Sequence, residues 1–360
     1  MARLFGREWT RRELLERVGD LSQVAGVERF TYDEGVATGV KAARVRTGGG
    51  LDFNVLFSRG MDIAQASYNG VPLAWVSSTG AAHPHALEPE GRGWLRTFHG
   101  GLLTGCGLMN AGAANLDENA PGGAEPLGIH GYLSHSPAES AYAGVEWDGD
   151  DAALVVQGTT REARVFAENL RLTRRITAPL GGASLTIRDT VENLGFQSVP
   201  LMLLYHLNFG WPLVSEDTDI VYRAARAHEP RDADAAPGMG TALKLEAPTP
   251  GYAEQCFFHE PEPDKDGVAH VLMANRARNL AVQVSYDKTA LPHLTQWKMM
   301  GRGEYVCGIE PANCRVYGRM TERAEGRLQQ IEPGETRAFA VTLTLLDGPD
   351  AITTAERSLG

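Results

Sequence analysis

The sequence predicts an all-β protein, a large antiparallel β-sandwich preceded by a short N-terminal helix. Apolar residues alternate or cluster with period two in many short segments, and turn-forming sequences such as YNG, DGDD and EPGE separate them. Helix-period patterns are nearly absent after residue 20, and no strand–helix–strand alternation is visible. Short strands joined by tight turns are typical of antiparallel sheets packed face to face.

The first predicted element is the helix. Thr10 is suited to cap it, and Glu13 completes a capping box three residues later. Gly19 is expected to end it. The apolar stripe comprises Leu14, Leu15 and Val18. Residues 1–25 are therefore predicted to form an N-terminal helical segment.

The remaining elements are strands within one domain, predicted to span residues 26–350. Three polar or small-residue stretches, 81–93, 110–126 and 226–250, are interpreted as surface loops because the strand pattern resumes after each. The loop at 110–126 lies between two motif-bearing segments and is a candidate to cover a site. The clearest strands are predicted at 41–47, 51–57, 153–160, 170–177, 183–193, 279–286 and 338–346.

Composition excludes several classes of function. A net charge of −11 and a pI near 5.4 argue against nucleic-acid binding, which needs clustered Lys and Arg. No apolar run approaches the roughly 18–20 residues that a membrane-spanning helix needs, and the N-terminus lacks the apolar core of a secretory signal. The four cysteines show no metal-binding spacing and are expected to be reduced thiols. The sequence thus predicts a cytoplasmic protein without membrane or nucleic-acid partners.

Two residues stand out as candidates for acid–base chemistry. His206 interrupts the apolar run LLYHLNFGWPLV at 203–214, where an unpaired imidazole is costly to bury. Glu310 follows the apolar YVCGI and precedes Pro311, which is expected either to end the strand or to place it at a sheet edge. Partial burial would raise the pKa of this carboxyl and make it a better base near neutrality. The alternatives are a hydrogen-bonded core histidine and an ion-paired surface glutamate.

A His and a Glu from different strands suit proton transfer on a sugar, with donor and acceptor on opposite sides of the substrate. Sugars also call for flat apolar surfaces and planar polar groups. The tryptophans that offer such surfaces, unless they simply pack in the core, are Trp75, Trp94, Trp211 and Trp297. The side chains suited to bind hydroxyls are Arg59, Asn208, Gln296 and Lys298.

Five segments, taken in order, resemble the galactose mutarotase-like superfamily, and more narrowly a bacterial aldose 1-epimerase-like branch of the DUF4432 type. They are SRGMDI, FHGGLLTGCGL, PLGIHGYLSHSPAE, YHLNFGWPLVSE and QWKMMGRGEYVCGIEPANC, with Gly318–Arg319 following. The resemblance spans roughly residues 55–335 and implies the large antiparallel supersandwich of that superfamily, with the sugar in an open cleft. It also implies a cofactor-free isomerase that opens and recloses a sugar ring.

The resemblance assigns catalytic roles to three residues. Glu310 falls on the base that takes the anomeric proton, His206 on the acid that protonates the ring oxygen, and His130 on a histidine that binds and polarises the ring. Substrate-binding roles are expected for Arg59, Asp62, His99, Asn208, Gln296 and Lys298. The sequence departs from the pattern in lacking the sugar-holding Asp, in having Tyr132 where a basic residue is usual, and in the extra His99.

Two other functions remain open at this stage. His99, His130, His206 and Glu310 are suited to hold zinc or manganese, which would support a metal-dependent ketose or uronate epimerase. A non-catalytic carbohydrate-binding protein would use the same cleft. In every case the partner is a small-molecule sugar, for whose anionic forms Arg59, Lys298 and Arg319 would be suitable. The N-terminal helix is expected to pack either on its own sandwich or across a homodimer.

Overall fold

The computed structural model describes residues 1–120 and 122–359 of the chain. The predicted all-β antiparallel architecture is confirmed, since sheets of eight, six and five strands account for most of the regular secondary structure in the described residues. None of the helices in this part of the chain is long and apolar enough to span a bilayer.

The elements follow one another in this order along the chain. The first half contains β1 (Ala2–Leu4), β2 (Arg7–Trp9), α1 (Arg11–Leu15), β3 (Gly26–Thr31), β4 (Lys41–Arg46), β5 (Leu51–Leu56), β6 (Asp62–Tyr68), β7 (Val71–Pro72), β8 (Thr104–Leu108), β9 (Asn115–Asp117), β10 (Glu125–Leu127), β11 (Glu139–Asp148), β12 (Asp151–Ala163) and β13 (Asn169–Pro179). The second half contains β14 (Ser184–Asn193), β15 (Val199–Pro200), β16 (Met202–Gly210), β17 (Thr218–Val221), β18 (Ala224–Pro230), β19 (Gln255–Pro261), β20 (Val268–Asn275), β21 (Leu280–Asp287), β22 (His293–Met300), β23 (Tyr305–Ala312), α2 (Arg319–Ala324), β24 (Gln330–Ile331), β25 (Thr336–Asp347) and α3 (Pro349–Leu359).

Three antiparallel sheets build the molecule. The strand orders are β11-β12-β13-β14-β25-β21-β20-β17, β18-β19-β22-β23-β16-β8 and β3-β4-β5-β6-β7. The main hydrophobic core includes residues of all three, among them Phe53, Ile187 and Leu207. In β13 and β25 buried and more exposed positions alternate, as expected for strands with one face on a core. By contrast, every residue of β16 is buried.

The predicted strands all lie on observed ones, but the N-terminal segment differs from the prediction. Thr10 caps α1 and forms the predicted capping box with Glu13. The helix ends at Leu15 rather than near Gly19, because Leu14 packs on the core while Leu15 remains 44% exposed. A hairpin of β1 and β2 precedes it, so the segment is not purely helical.

Three further differences concern segments with weak sequence patterns. Residues 226–230, predicted as loop, belong to the edge strand β18, whose mostly exposed residues leave no alternation to detect. The predicted loop 110–126 contains the short strands β9 and β10, and its residue Pro121 lies outside the described residues. The C-terminal helix α3 escaped prediction because it buries only Ile352 and Leu359.

Candidate active site

A cavity of about 620 Å³ lies on the face of the six-stranded sheet that is turned away from the main core. This volume is in the range of small-molecule sites. Aromatic and titratable side chains contribute most of its wall: Arg92, Trp94, Phe98, His130, His206, Arg231, Asp232, Glu254, Trp297, Glu310 and Tyr317. All three residues predicted to be catalytic therefore line one cavity.

Strand register brings the central residues of this wall together. Thr104 of β8 pairs with His206 of β16, and Thr295 of β22 pairs with Glu310 of β23. The flanking pairs between β16 and β23 set His206 opposite Glu310. Residues directly opposite one another in antiparallel strands project on the same side of the sheet. The four side chains consequently form a row across the sheet.

Contrary to the sequence prediction, the strand that holds Glu310 neither ends at Pro311 nor lies at a sheet edge. It continues to Ala312 and lies between β22 and β16. On one side Pro311 pairs with Leu294 of β22. On the other side the ladder between β23 and β16 is interrupted between the pairs Leu204–Ala312 and Leu207–Ile309. Proline has no N–H to contribute to a ladder. The interruption therefore falls where His206 and Glu310 meet.

His206 and Glu310 form a close pair, called here the His–Glu pair. Nε2 of His206 lies 3.3 Å from Oε1 of Glu310, and both side chains are almost fully buried. Nδ1 of His206 and Oε1 of Glu310 have no hydrogen-bond partner in the protein. The two groups thus stand side by side on one wall, rather than on opposite sides of a substrate as the sequence suggested.

Burial sets the protonation of this pair. Desolvation raises the pKa of Glu310 to about 8, a rise that the positive charge of Arg231 partly opposes. Desolvation, with a smaller effect of His130, holds the pKa of His206 well below its usual value. At neutral pH the carboxyl therefore holds the proton and the imidazole is neutral.

An aromatic shell causes much of this desolvation. Rings of Phe98 and Trp297 each lie 5.3 Å from the His206 ring, centre to centre. Phe98 in turn stacks on Trp94 at 4.5 Å. Trp94 and Trp297 thus line the cavity as flat surfaces, whereas Trp75 packs behind Trp297 and Trp211 projects outward, 65% exposed.

His130 presents a defined tautomer to the cavity. Its Nδ1 accepts a hydrogen bond from the backbone N–H of Gly112 at 3.2 Å. In the neutral ring the proton must then reside on Nε2, which is free to donate. Burial lowers the pKa of His130 to about 4, which keeps the ring neutral. Its ring centre lies 5.5 Å from that of His206.

Residues 37–345 match the family described as a domain of unknown function, DUF4432. The chain belongs to this family. Among solved structures, a "putative aldose 1-epimerase" from Klebsiella pneumoniae subsp. pneumoniae superposes with a TM-score of 0.86 at 24% identity, over 92% of this chain and 86% of that one. A galactose mutarotase-like protein from Clostridium acetobutylicum gives 0.59 at 14% identity, over 89% and 98%. A galactose 1-epimerase from Lactobacillus acidophilus NCFM gives 0.57 at 13%, over 89% and 99%.

These similarities confirm the resemblance and the fold that the sequence suggested. The fold is that of the galactose mutarotase-like proteins, and at these identities the likeness is one of architecture. No curated protein matches the chain at a significant level. What this DUF4432 member does must therefore be argued from its own cavity.

Two of the expected substrate-binding residues of this DUF4432 chain lie outside the cavity. The guanidinium of Arg59 is fully buried and donates to the carbonyl oxygens of Ala82 and Thr97 and to the hydroxyl of Ser134. Asp62 accepts from Ser134 and from the backbone of Gly105, the neighbour of Thr104. Arg59 thus holds three connecting segments together, and Asp62 supports strand β8 of the six-stranded sheet.

The remaining four are also fully or almost fully buried, and none lines the cavity. Gln296 bonds to Ala242 and His259, and Lys298 contacts Glu246 at 2.7 Å. The two project from the opposite face of β22 to Thr295 and Trp297, because side chains alternate along a strand. Asn208 donates to backbone carbonyls, and both ring nitrogens of His99 lack partners.

The alternative metal site is not assembled. His99 does not line the cavity that contains His130 and the His–Glu pair. In residues 1–120 and 122–359 no three His, Cys, Asp or Glu side chains are arranged to hold a metal ion. The four cysteines are buried and unpaired.

Several cavity residues were not singled out in the sequence. Thr295 is fully buried, and its hydroxyl has no partner. Thr295 and Trp297 are two residues apart on β22 and share a face, so the period-two pattern would have placed Thr295 beside Trp297. Arg231, Asp232 and Glu254 follow or precede exposed chain with no motif, so no pattern would have found them.

A groove of similar volume, about 630 Å³, lies over the five-stranded sheet. Its charged side chains have partners, since Arg44 pairs with Asp52, Glu28 pairs with Arg46, and Arg29 donates to the carbonyl of Ala141. It contains none of the residues predicted to be catalytic. The chemistry therefore belongs to the cavity on the six-stranded sheet.

Proposed function

We propose that this protein is a carbohydrate epimerase of the aldose 1-epimerase type, which opens and recloses a sugar ring by acid–base catalysis. The single observation that supports this most strongly is the contact between His206 and Glu310 inside a cavity of sugar size. The aromatic surfaces of Trp94 and Trp297 would pack against the apolar face of a pyranose.

The proposed chemistry needs one base and one acid. The Glu310 carboxylate takes the proton of the anomeric hydroxyl, while protonated His206 donates a proton to the ring oxygen. The bond between the anomeric carbon and the ring oxygen breaks and leaves an open-chain aldehyde. Rotation about the adjacent carbon–carbon bond and closure on the other face, with both proton transfers reversed, yields the other anomer.

The protonation of the free protein fits this cycle through one shared proton. At rest the proton is on Glu310, and its transfer across 3.3 Å to His206 creates the carboxylate and imidazolium that the reaction requires. Ring opening then returns a proton to Glu310 and removes one from His206, which restores the resting pair. No proton has to be exchanged with solvent in a turnover.

His130 is proposed to hold the substrate. Its free Nε2–H, fixed by the contact with Gly112, is a neutral donor for the ring oxygen or a hydroxyl. A neutral donor orients an oxygen without adding a second charge beside the His–Glu pair.

The proposal is tested by following the interconversion of anomers directly. Freshly dissolved aldoses are mixed with the protein, and the change in optical rotation or in the anomeric proton signals is compared with the spontaneous rate. A protein that binds these sugars but leaves that rate unchanged for every aldose would show that the cavity binds without catalysis.

A further inference from the structure

Arg231 is the one buried or half-buried cation in the cavity wall and follows directly after the edge strand β18. Its side chain is 23% exposed, in contrast to the fully buried Arg59. It lines the same cavity as Glu310 and His130, and its positive charge lowers the pKa of both groups.

The position of this guanidinium is fixed by three side chains. Nε contacts Asp232 at 2.6 Å, Nη2 contacts Glu254 at 3.3 Å, and Nη1 donates to Sγ of Cys256 at 3.0 Å. The backbone N–H of Arg231 donates to the carbonyl of Cys256, and the backbone carbonyl of Arg231 accepts from the hydroxyl of Tyr317. A residue held in this way loses little freedom when it binds a ligand.

The contacts leave donors available. A guanidinium has five N–H groups, and the contacts to Asp232, Glu254 and Cys256 use three of them. One N–H on each of Nη1 and Nη2 remains for oxygens of a ligand. The second oxygen of Glu254 accepts from the indole N–H of Trp297 at 3.0 Å, which ties the cluster to the flat surface proposed to pack on the sugar.

We propose that Arg231, oriented by Asp232, Glu254 and Cys256, is the substrate-binding cation of this cavity. Arg231 would thus have the substrate-binding role that the sequence suggested for Arg59. Because the two carboxylates outnumber the single guanidinium, the cluster as a whole disfavours an anionic sugar and suits hydroxyl groups.

This inference rests on the proposed function and adds an electrostatic consequence to it. The titratable groups whose charges act on or beside Glu310 are Cys106, His206, Arg231, Glu254, Cys256 and Cys307. Of these, Arg231 lowers the pKa of Glu310 and Glu254 raises it. Removing the charge of Arg231 should therefore move the pH dependence of the reaction in one direction, and removing the charge of Glu254 should move it in the other.

The test compares Arg231→Met, Arg231→Lys and Glu254→Gln in the full chain, with Arg226→Met as the matched control. Arg226 lies on β18 and contacts Glu260 at 3.3 Å, the distance between Arg231 and Glu254, but it does not line the cavity. The readouts are KM and the pH profile of anomer interconversion, and calorimetric binding of neutral aldohexoses and the matching uronates.

The expected results differ among the variants. Arg231→Met raises KM about tenfold or more and moves the alkaline limb of the profile to higher pH. Arg231→Lys restores the position of the alkaline limb but not the full affinity. Lysine keeps the positive charge but lacks the planar, paired N–H groups of the guanidinium. Glu254→Gln moves the limb to lower pH and improves uronate binding relative to the neutral sugar. Arg226→Met behaves as the wild type.

Three outcomes would overturn the inference: wild-type KM and pH limb in Arg231→Met, equal losses in Arg226→Met, or uronates that bind better than neutral sugars in the wild type. Each leaves the epimerase proposal standing if Glu310→Gln still abolishes turnover. Conversely, sugar binding that depends on Arg231 without any anomer interconversion supports the inference and rejects the epimerase.

Discussion

Nε2 of His206 and Oε1 of Glu310 lie 3.3 Å apart on neighbouring strands, and water has almost no access to either. At this distance in a desolvated site we expect the two groups to titrate as a unit rather than separately. The register between β16 and β23 fixes the contact, so the sheet itself determines which proton donor faces which acceptor. This contact leads to the following expectations.

Glu310→Gln should lower the rate of anomer interconversion by about 10²–10⁴, the share usual for an acid–base catalyst. The amide keeps the shape of the side chain but holds no transferable proton. Polarimetry with the preferred aldose measures the effect. Glu304→Gln, an exposed position on the turn before β23, is the matched control and should retain the wild-type rate. An unchanged rate in Glu310→Gln would remove this carboxyl from the mechanism.

The rate should stay roughly constant through neutral pH and fall above about pH 8. Burial raises the pKa of Glu310 to about 8, and above that pH the His–Glu pair loses the one proton that it shares. An isolated glutamate base would behave in the opposite way, since its rate would rise as pH approached 8. The pH profile of kcat, measured from below pH 6 to above pH 9, separates the two cases.

Protein stability should show the same titration. From the usual glutamate value of 4.5 up to about 8, the folded protein retains a proton that the unfolded chain has released. The unfolded state then binds fewer protons, so the free energy of unfolding decreases as pH rises through this window. Glu310→Gln should therefore unfold at the wild-type temperature near pH 4 and at a higher temperature near pH 9. Equal unfolding temperatures at both pH values would contradict the raised pKa.

The sequence was sufficient to predict most strands, because period-two alternation is a local signal, and the apolar runs around His206 and Glu310 marked both residues as candidates. The role of His130 came from the family resemblance, and the direct contact between His206 and Glu310 was not predicted. It was not sufficient to decide which side of a strand faces the ligand. Gln296 and Lys298 have the chemistry of sugar-binding residues, yet they share the face opposite to Thr295 and Trp297. Alternation groups the residues of a face but does not say which face borders the cavity.

The cation was harder to predict for a different reason. Arg59 stands in a conspicuous motif but holds together backbone carbonyls of other segments. Arg231 stands in an irregular stretch, and its contacts with Glu254 and Cys256 hold it at the cavity wall. Contacts between segments distant in sequence are set by the tertiary fold, which a local pattern does not encode.

Thr295→Val and Thr104→Val should have opposite effects on stability. Both threonines are fully buried in the row that contains His206 and Glu310. The hydroxyl of Thr104 donates to the carbonyl of Gly100 at 2.6 Å, whereas that of Thr295 has no partner in the free protein. A buried hydroxyl without a partner costs about 1–3 kcal/mol, so its removal at Thr295 should maintain or raise the unfolding temperature.

In Thr104→Val the same substitution leaves the Gly100 carbonyl without its donor and should lower the unfolding temperature. Thermal unfolding of the two variants, together with their rates of anomer interconversion, checks both expectations. A fall in stability in Thr295→Val equal to that in Thr104→Val would mean that the Thr295 hydroxyl has a partner in solution.

Gly308→Ala should reduce activity more than stability, because the carboxylate of Glu310 occupies the space that a side chain at this position would need. A methyl group at residue 308 would lie 2.6 Å from Oε1 of Glu310 and 3.1 Å from Cβ of Trp297. The carboxylate is the more easily moved of the two, since the tryptophan Cβ is fixed to its strand. Rotation of Glu310 away from His206 would break the contact over which the shared proton must pass.

The expected result is a loss of at least about tenfold in kcat, because small displacements of catalytic groups are costly. Gly240→Ala is the control, since a methyl group there meets no atom within 4 Å. If Gly308→Ala keeps the wild-type kcat while its unfolding temperature falls, the added methyl group strains the sheet and the His–Glu contact is not what turnover depends on. If kcat falls at an unchanged unfolding temperature, the position of the Glu310 carboxylate beside His206 is itself required.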